Sequence, residues 1–196
     1  MRLLFSYAID FISAAVFLIP IILVFGKVYL HDAKKCVCYM LFTLYLAAVC
    51  VVVGFPSVTS LSFDPTFEVI PFISMIEDAK NCVLNVILFV PLGVLLPLLW
   101  NRFNSLARTA LFGIGVSLTV ELVQLFTFRT TDIDDLITNT AGAIIGFFIY
   151  KLVLGKKNII EPSGNTRDVY ILCGIVLAVM FLLQPIPASL LWEIIY

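Results

Sequence analysis

Charge is scarce in this chain: 12 Lys and Arg against 13 Asp and Glu in 196 residues, 13% in all, with one histidine. A soluble domain carries roughly twice that fraction to cover its surface, so a water-exposed fold is excluded. The formal net charge of −1 offers no general attraction to nucleic acid or to anionic surfaces, and no run of Lys and Arg is interleaved with aromatics. Nucleic acid is therefore not an expected partner. Cysteine comes as five scattered residues, Cys36, Cys38, Cys50, Cys82 and Cys173, without the CxxC pairs of zinc or redox sites. They read as small buried hydrophobes, and no cofactor is called for. Internal repeats and low-complexity tracts are missing too. The first apolar run lacks a cleavage-like end, and basic residues follow it more than precede it, so it reads as a retained helix and not a signal peptide.

What fills the chain instead is hydrophobicity, 62% of residues, with a mean hydropathy of +1.11. Six apolar segments stand out at 3–25, 36–55, 82–100, 109–128, 136–154 and 168–183, each near the length of a bilayer crossing. Continuous helices are the simplest way to satisfy their backbone groups in lipid. The expected fold is all-α: a polytopic transmembrane helical bundle of five or six helices forming one integral membrane domain over 1–196. The first segment, with Asp10 and Pro20, and the short last one, which ends at Gln184-Pro185, are the two whose full spanning is open. The apolar tail after them is suited to the membrane interface.

Counting Lys and Arg on the two sides orients the bundle. The tail before the first segment and the loops after the second and fourth hold Arg2, Lys80 and Arg129. The other loops hold Lys27, Lys34, Lys35, Arg102, Arg108, Lys151, Lys156, Lys157 and Arg167. Nine against three places both termini outside, and His31 then falls in a basic cytoplasmic turn as a solvated loop residue. The connection 56–81 joins Asp64, Glu68, Glu77 and Asp78 to Phe63, Phe67, Ile70, Phe72, Ile73, Met75 and Ile76, broken by Pro65 and Pro71. That pattern suits a segment on the outer interface or one that re-enters the bundle. Its length suits a lid or binding loop as well as a plain hydrophobic linker.

Nearly all the remaining polarity lies in 121–146, ELVQLFTFRTTDIDDLITNTAGAIIG. Ser117, Glu121, Gln124 and Phe128 fall at i, i+4, i+7 and i+11, as do Asp135, Asn139, Gly142 and Gly146, while Asn81 and Asn85 are an i, i+4 pair. Each helix thus carries one polar stripe, and the orientation puts all three stripes on the outer half. With the fourth segment ending near Phe128, Glu121 lies seven residues inside, about 10 Å at 1.5 Å per residue, against a half-core of about 15 Å. A carboxylate at that depth is protonated or paired. Arg129 is the strongly basic residue nearby, although its pairing with Asp132 or Asp135 is sterically easier. Gly142 and Gly146 form a GxxxG pattern that permits close helix contact, within the bundle more readily than between chains.

Two explanations compete for these residues. In one they are a polar network locking three helices together, with Asp132 to Asp135 capping the fifth segment. In the other they form a site, which better accounts for Glu121 together with Gln124 and two asparagines.

The runs FEVIPF, NVILFVPLGVLLPLL, ELVQLF and R..DIDDLITNTAGAIIGF, in that order and spacing over 67–148, resemble the VanZ-like family of bacterial membrane proteins. The matched positions are Asn85, Pro91, Gly93, Glu121, Gln124, Arg129, Asp132, Asp135, Asn139 and Gly142. One departure is visible: family members often carry asparagine just before the IPF tripeptide, where this chain reads Glu68-Val69-Ile70-Pro71-Phe72. The resemblance implies an envelope protein of mostly Gram-positive bacteria, associated with reduced susceptibility to teicoplanin-like lipoglycopeptides.

Three functions are compatible with the residues. A binding or shielding protein would use Asn85, Gln124 and Asn139 as hydrogen-bonding groups, with Arg129 on an anionic head. Its partners would be membrane lipids and a lipid-linked cell-wall precursor or a lipoglycopeptide. An intramembrane enzyme would use Glu121 as general acid or base, with Asp132 and Asp135 as candidate ligands for a hard divalent cation at a lipid-linked substrate; no nucleophile or histidine accompanies them. A proton-coupled transporter ranks third, because polar residues confined to one half of the bundle, Asp10 included, leave no path to the other side.

Overall fold

A computed structural model describes residues 2–59, 61, 63, 67–68, 78–126, 131–155 and 164–195. Six helices in it are long and apolar enough to cross a membrane. α1 is Arg2–Phe25, carried on by a wider π turn at Gly26–Leu30, and α2 is Ala33–Val53. α3 is Ala79–Leu99, α4 Leu106–Gln124, and α5 Ile133–Ile149, with a π turn Tyr150–Leu154. α6 is Thr166–Ala178, extended by Val179–Leu183, and a shorter α7, Pro185–Ile195, follows. The six expected segments are all present, and the first and last are among the six of spanning length. Most of the connection 56–81 lies outside the described residues.

Local chemistry sets the ends. Asp32 caps α2, its side chain accepting from the Lys34 and Lys35 amides at 2.9 and 3.3 Å, and Gly54 ends that helix with a left-handed φ of 71°. Asp78 and Asp132 cap α3 and α5 in the same way, accepting from the Asn81 and Asp134 amides. Pro20, Pro91 and Pro97 sit inside helices, as neighbours in a membrane bundle allow. Two residues of extended chain on each side, Phe67–Glu68 and Thr131–Asp132, pair in parallel just before α5 begins.

The helices group into two compact units, one comprising 1–62 and 167–196, the other 63–166. In the first, α1 packs on α2, on α7 and on the end of α6. Its interior holds Leu18, Ile22, Phe42, Ala47, Val169 and Leu172, and Tyr39 donates to Asp168 at 2.7 Å.

In the second unit α5 packs along α3 and, less extensively, against α4. The α3–α5 contact is backbone-close. A Cβ on Gly142 would run into the Val86 carbonyl, one on Gly146 into the Val90 carbonyl, and one on Gly93 into the Ala143 carbonyl. The GxxxG spacing therefore serves contact inside this unit, with α3 and α5 running parallel. Phe89, Leu92, Leu96 and Ala143 fill the seam. Leu111, Ile114, Leu118 and Leu122 form an exposed apolar stripe on α4, as a lipid-facing surface requires.

Candidate functional site

Because α3 and α5 run parallel and α4 returns against them, one end of the second unit collects the start of α3, the end of α4 and the start of α5. The polar side chains gather there. Asn85, half-buried on α3, donates its amide to Asp135 Oδ1 on α5 at 2.6 Å. On α4, Glu121 is only 4% exposed, and its Oε2 accepts from the Asp132 backbone N–H at 3.0 Å. Asn139 on α5, 3% exposed, donates to Ser117 on α4 at 2.9 Å. Each bond crosses between elements, so the three helices are tied in a chain from Asn85 through α5 to Ser117 and Glu121.

Glu121 is buried for a different reason from the expected one. α4 ends at Gln124, with a turn at Leu125–Phe126, and not near Phe128. Glu121 is therefore three residues from the end of the helix, about 5 Å along its axis, and the depth argument built on Phe128 does not apply. What hides the carboxylate is the start of α5 folded over it, which also supplies the backbone N–H. A charge-accepting backbone donor of this kind is among the stronger hydrogen bonds a carboxylate can make.

The other nominated residues divide. Gln124, the last residue of α4, is buried beside this network. Asp132 caps α5, its Oδ1 accepting from the Asp134 amide at 2.8 Å, so the capping explanation holds for that residue. Asn81 does not join; it is exposed at the start of α3, its amide bonded to Asp78. Arg129 and Phe128 lie outside the described residues. Among the described residues, no three or more His, Cys, Asp and Glu side chains are grouped so as to hold a metal ion.

Sequence reasoning passed over two participants. Asp134, among the residues expected to cap α5, is fully buried. Ser117 was placed on the stripe without a role, yet it accepts from Asn139 and is fully buried. The signal for Ser117 was its i, i+4 spacing from Glu121. Asp134 had none, because whether the first turn of a helix faces water depends on what covers it. Asn139 Oδ1 is a buried oxygen without a hydrogen-bond donor among the described residues, so the network keeps an unused accepting position.

Helices of spanning length, an apolar outer stripe and a polar network enclosed at one end of a three-helix unit define a polytopic helical membrane protein. The chain belongs to the VanZ/LLP1 family, which matches residues 42–154, and it is accordingly a multi-pass protein of the bacterial membrane. It is 37% identical over 99 residues to Protein VanZ of Enterococcus faecium. That stretch is 50% of this chain and 58% of that protein, so the chain spans little more than half of the relative. The family match starts inside α2, well before the FEVIPF run that opens the resemblance at Phe67. No solved structure matches the chain.

Proposed function

We propose that the polar end of the α3–α4–α5 unit binds the hydrophilic head of an amphiphile at the outer leaflet, and that this binding reduces susceptibility to teicoplanin-like lipoglycopeptides. The observation that carries the reading is Asn139: a buried asparagine oriented by Ser117 through its N–H, with its oxygen open to a donor. Buried polar groups are normally satisfied, and an accepting oxygen held ready beside Asn85, Glu121 and Gln124 suits a ligand rich in hydroxyl or amide donors. Arg129, contributed by the connection between α4 and α5, would meet an anionic group on the same ligand. In this reading this end of the unit faces outside, which the distribution of Lys and Arg supports. Lipid-linked cell-wall precursors and lipoglycopeptides both join an acyl or prenyl chain to a polar head and are the partners of that chemistry.

The test replaces Arg129 and Asn139 singly by Ala in cells that depend on the protein for protection. Each variant should lose most of the protection against a lipidated glycopeptide while its membrane level holds and a non-lipidated glycopeptide acts as before. Unchanged susceptibility in both variants refutes the reading. An epitope inserted after Gly155 should be reached by antibody only in permeabilised cells; staining of intact cells would reverse the orientation.

A further inference from the structure

The first unit contains a cleft that the reading above does not use. It has a volume of about 190 Å³ and lies between α1, the end of α2 with the turn that follows it, and the end of α6; Asp10, Ser57 and Gln184 supply its polar lining. Val51, Phe55 and Met180 supply its apolar part, the smaller share of the lining. The turn is not loose: Phe55 N–H donates to the Cys50 carbonyl at 2.9 Å, and Val58 N–H to the Phe181 carbonyl at 3.0 Å, which pins the turn to the end of α6.

Asp10 is the unusual member. It stands one third of the way into a helix of spanning length, where an ionisable group is costly and normally meets a counter-charge. Among the described residues its hydrogen-bond partner is the Gln184 side-chain amide at 2.9 Å, and no Lys, Arg or His is paired with it. Gln184 is itself 8% exposed, so a buried neutral donor orients the carboxylate without neutralising it. An acidic group held in place, the Ser57 hydroxyl in the same lining, itself bonded to Thr59 at 2.9 Å, and an unfilled space with apolar side chains on part of its wall suit a cation that carries its own methylenes.

We infer that this cleft is a binding site for a primary ammonium group on an amphiphile or small amine. A bare alkali ion is a poor fit, since one carboxylate, one amide and one hydroxyl in about 190 Å³ leave it mostly uncoordinated. An ammonium donates directly to Asp10 and Ser57, while its methylenes cover Val51, Phe55 and Met180. Among the described residues the lining holds no basic residue, so an anionic head is disfavoured.

Equilibrium dialysis of the full chain in maltoside micelles tests this, with hexylammonium as the probe and hexanol and hexanoate as the uncharged and anionic controls. One saturable hexylammonium site per chain is expected, with neither control matching it. Asp10→Asn, close to isosteric, should weaken binding at least tenfold, and Asp10→Glu should restore part of it. Val51→Phe, which fills the cleft and leaves Asp10 in place, should also abolish binding, and this arm holds if Asp10→Asn fails to fold. Added phosphatidylethanolamine that competes assigns the site to a lipid head; an amine displaced only by other soluble amines assigns it to a free ligand. Undiminished binding in Asp10→Asn or Val51→Phe, or hexanol binding as tightly as hexylammonium, overturns the proposal. Either outcome leaves the reading of the α3–α4–α5 unit unaffected, because no residue is shared.

Discussion

The two units handle buried polarity in opposite ways. The unit 1–62 with 167–196 bonds residues far apart in sequence, Tyr39 with Asp168 and Gln184 with Asp10, whose members lie 129 and 174 positions apart. The unit 63–166 concentrates its polar groups at one end, joins them across three helices, and draws them from segments close in sequence, such as Ser117 with Asn139 and Glu121 with Asp132. A pair of this kind closes a fold: it rewards bringing two distant helices together and specifies their register. A multi-helix cluster exceeds that need, and each further buried polar group raises the desolvation cost without adding a new helix to the contact. The excess in the second unit is the structural reason to look for a ligand there.

Substitutions can break this contrast. The largest effect is expected from Gly142→Leu, whose side chain would occupy the position of the Val86 carbonyl and push α5 off α3. Overpacking of that kind costs about 3 kcal/mol, and the variant should lose most of its folded yield in detergent and all protection together. Normal yield and melting temperature would mean that the α3–α5 seam is not as close as described.

Tyr39→Phe removes the hydroxyl that donates to buried Asp168. Interhelical hydrogen bonds in membrane bundles are worth about 1 kcal/mol, so a fall of a few degrees in apparent melting temperature is expected, with protection against a lipoglycopeptide intact. Lost protection at full expression would show that polarity in the first unit also serves function. The smallest stability effect belongs to Ser117→Ala, about 0.5 kcal/mol, because Asn139 can relax. Its susceptibility shift should nevertheless exceed that of Tyr39→Phe, since the amide that orients Asn139 loses its acceptor. The reverse ranking would reduce the cluster to a structural lock.

The sequence made the helices legible because lipid leaves little choice: an apolar run of bilayer length has to satisfy its backbone internally. The Asp132 cap and the close contact at Gly142 and Gly146 followed from short-range rules. Helix ends were less secure. Ser117, Glu121, Gln124 and Phe128 share one stripe on an ideal helix, and that continuity suggested an end near Phe128, but the last turn is released at Gln124 where α5 folds back. Asn81 and Asn85 look equivalent at i, i+4, yet Asn81 is exposed at the start of α3, and Asn85, one turn further in, is the one that reaches Asp135.

Composition and spacing alone thus determined that the chain crosses a membrane repeatedly, with its polar residues reserved for a few faces, because burial in lipid penalises every unpaired backbone and charged group regardless of what lies beside it. Which polar groups meet was decided only by tertiary structure. Asp10 finds Gln184, Asp168 finds Tyr39, and Asn139 is left with an open oxygen, because a partner across helices depends on the register and direction in which they pack, and neither is encoded in any single helix.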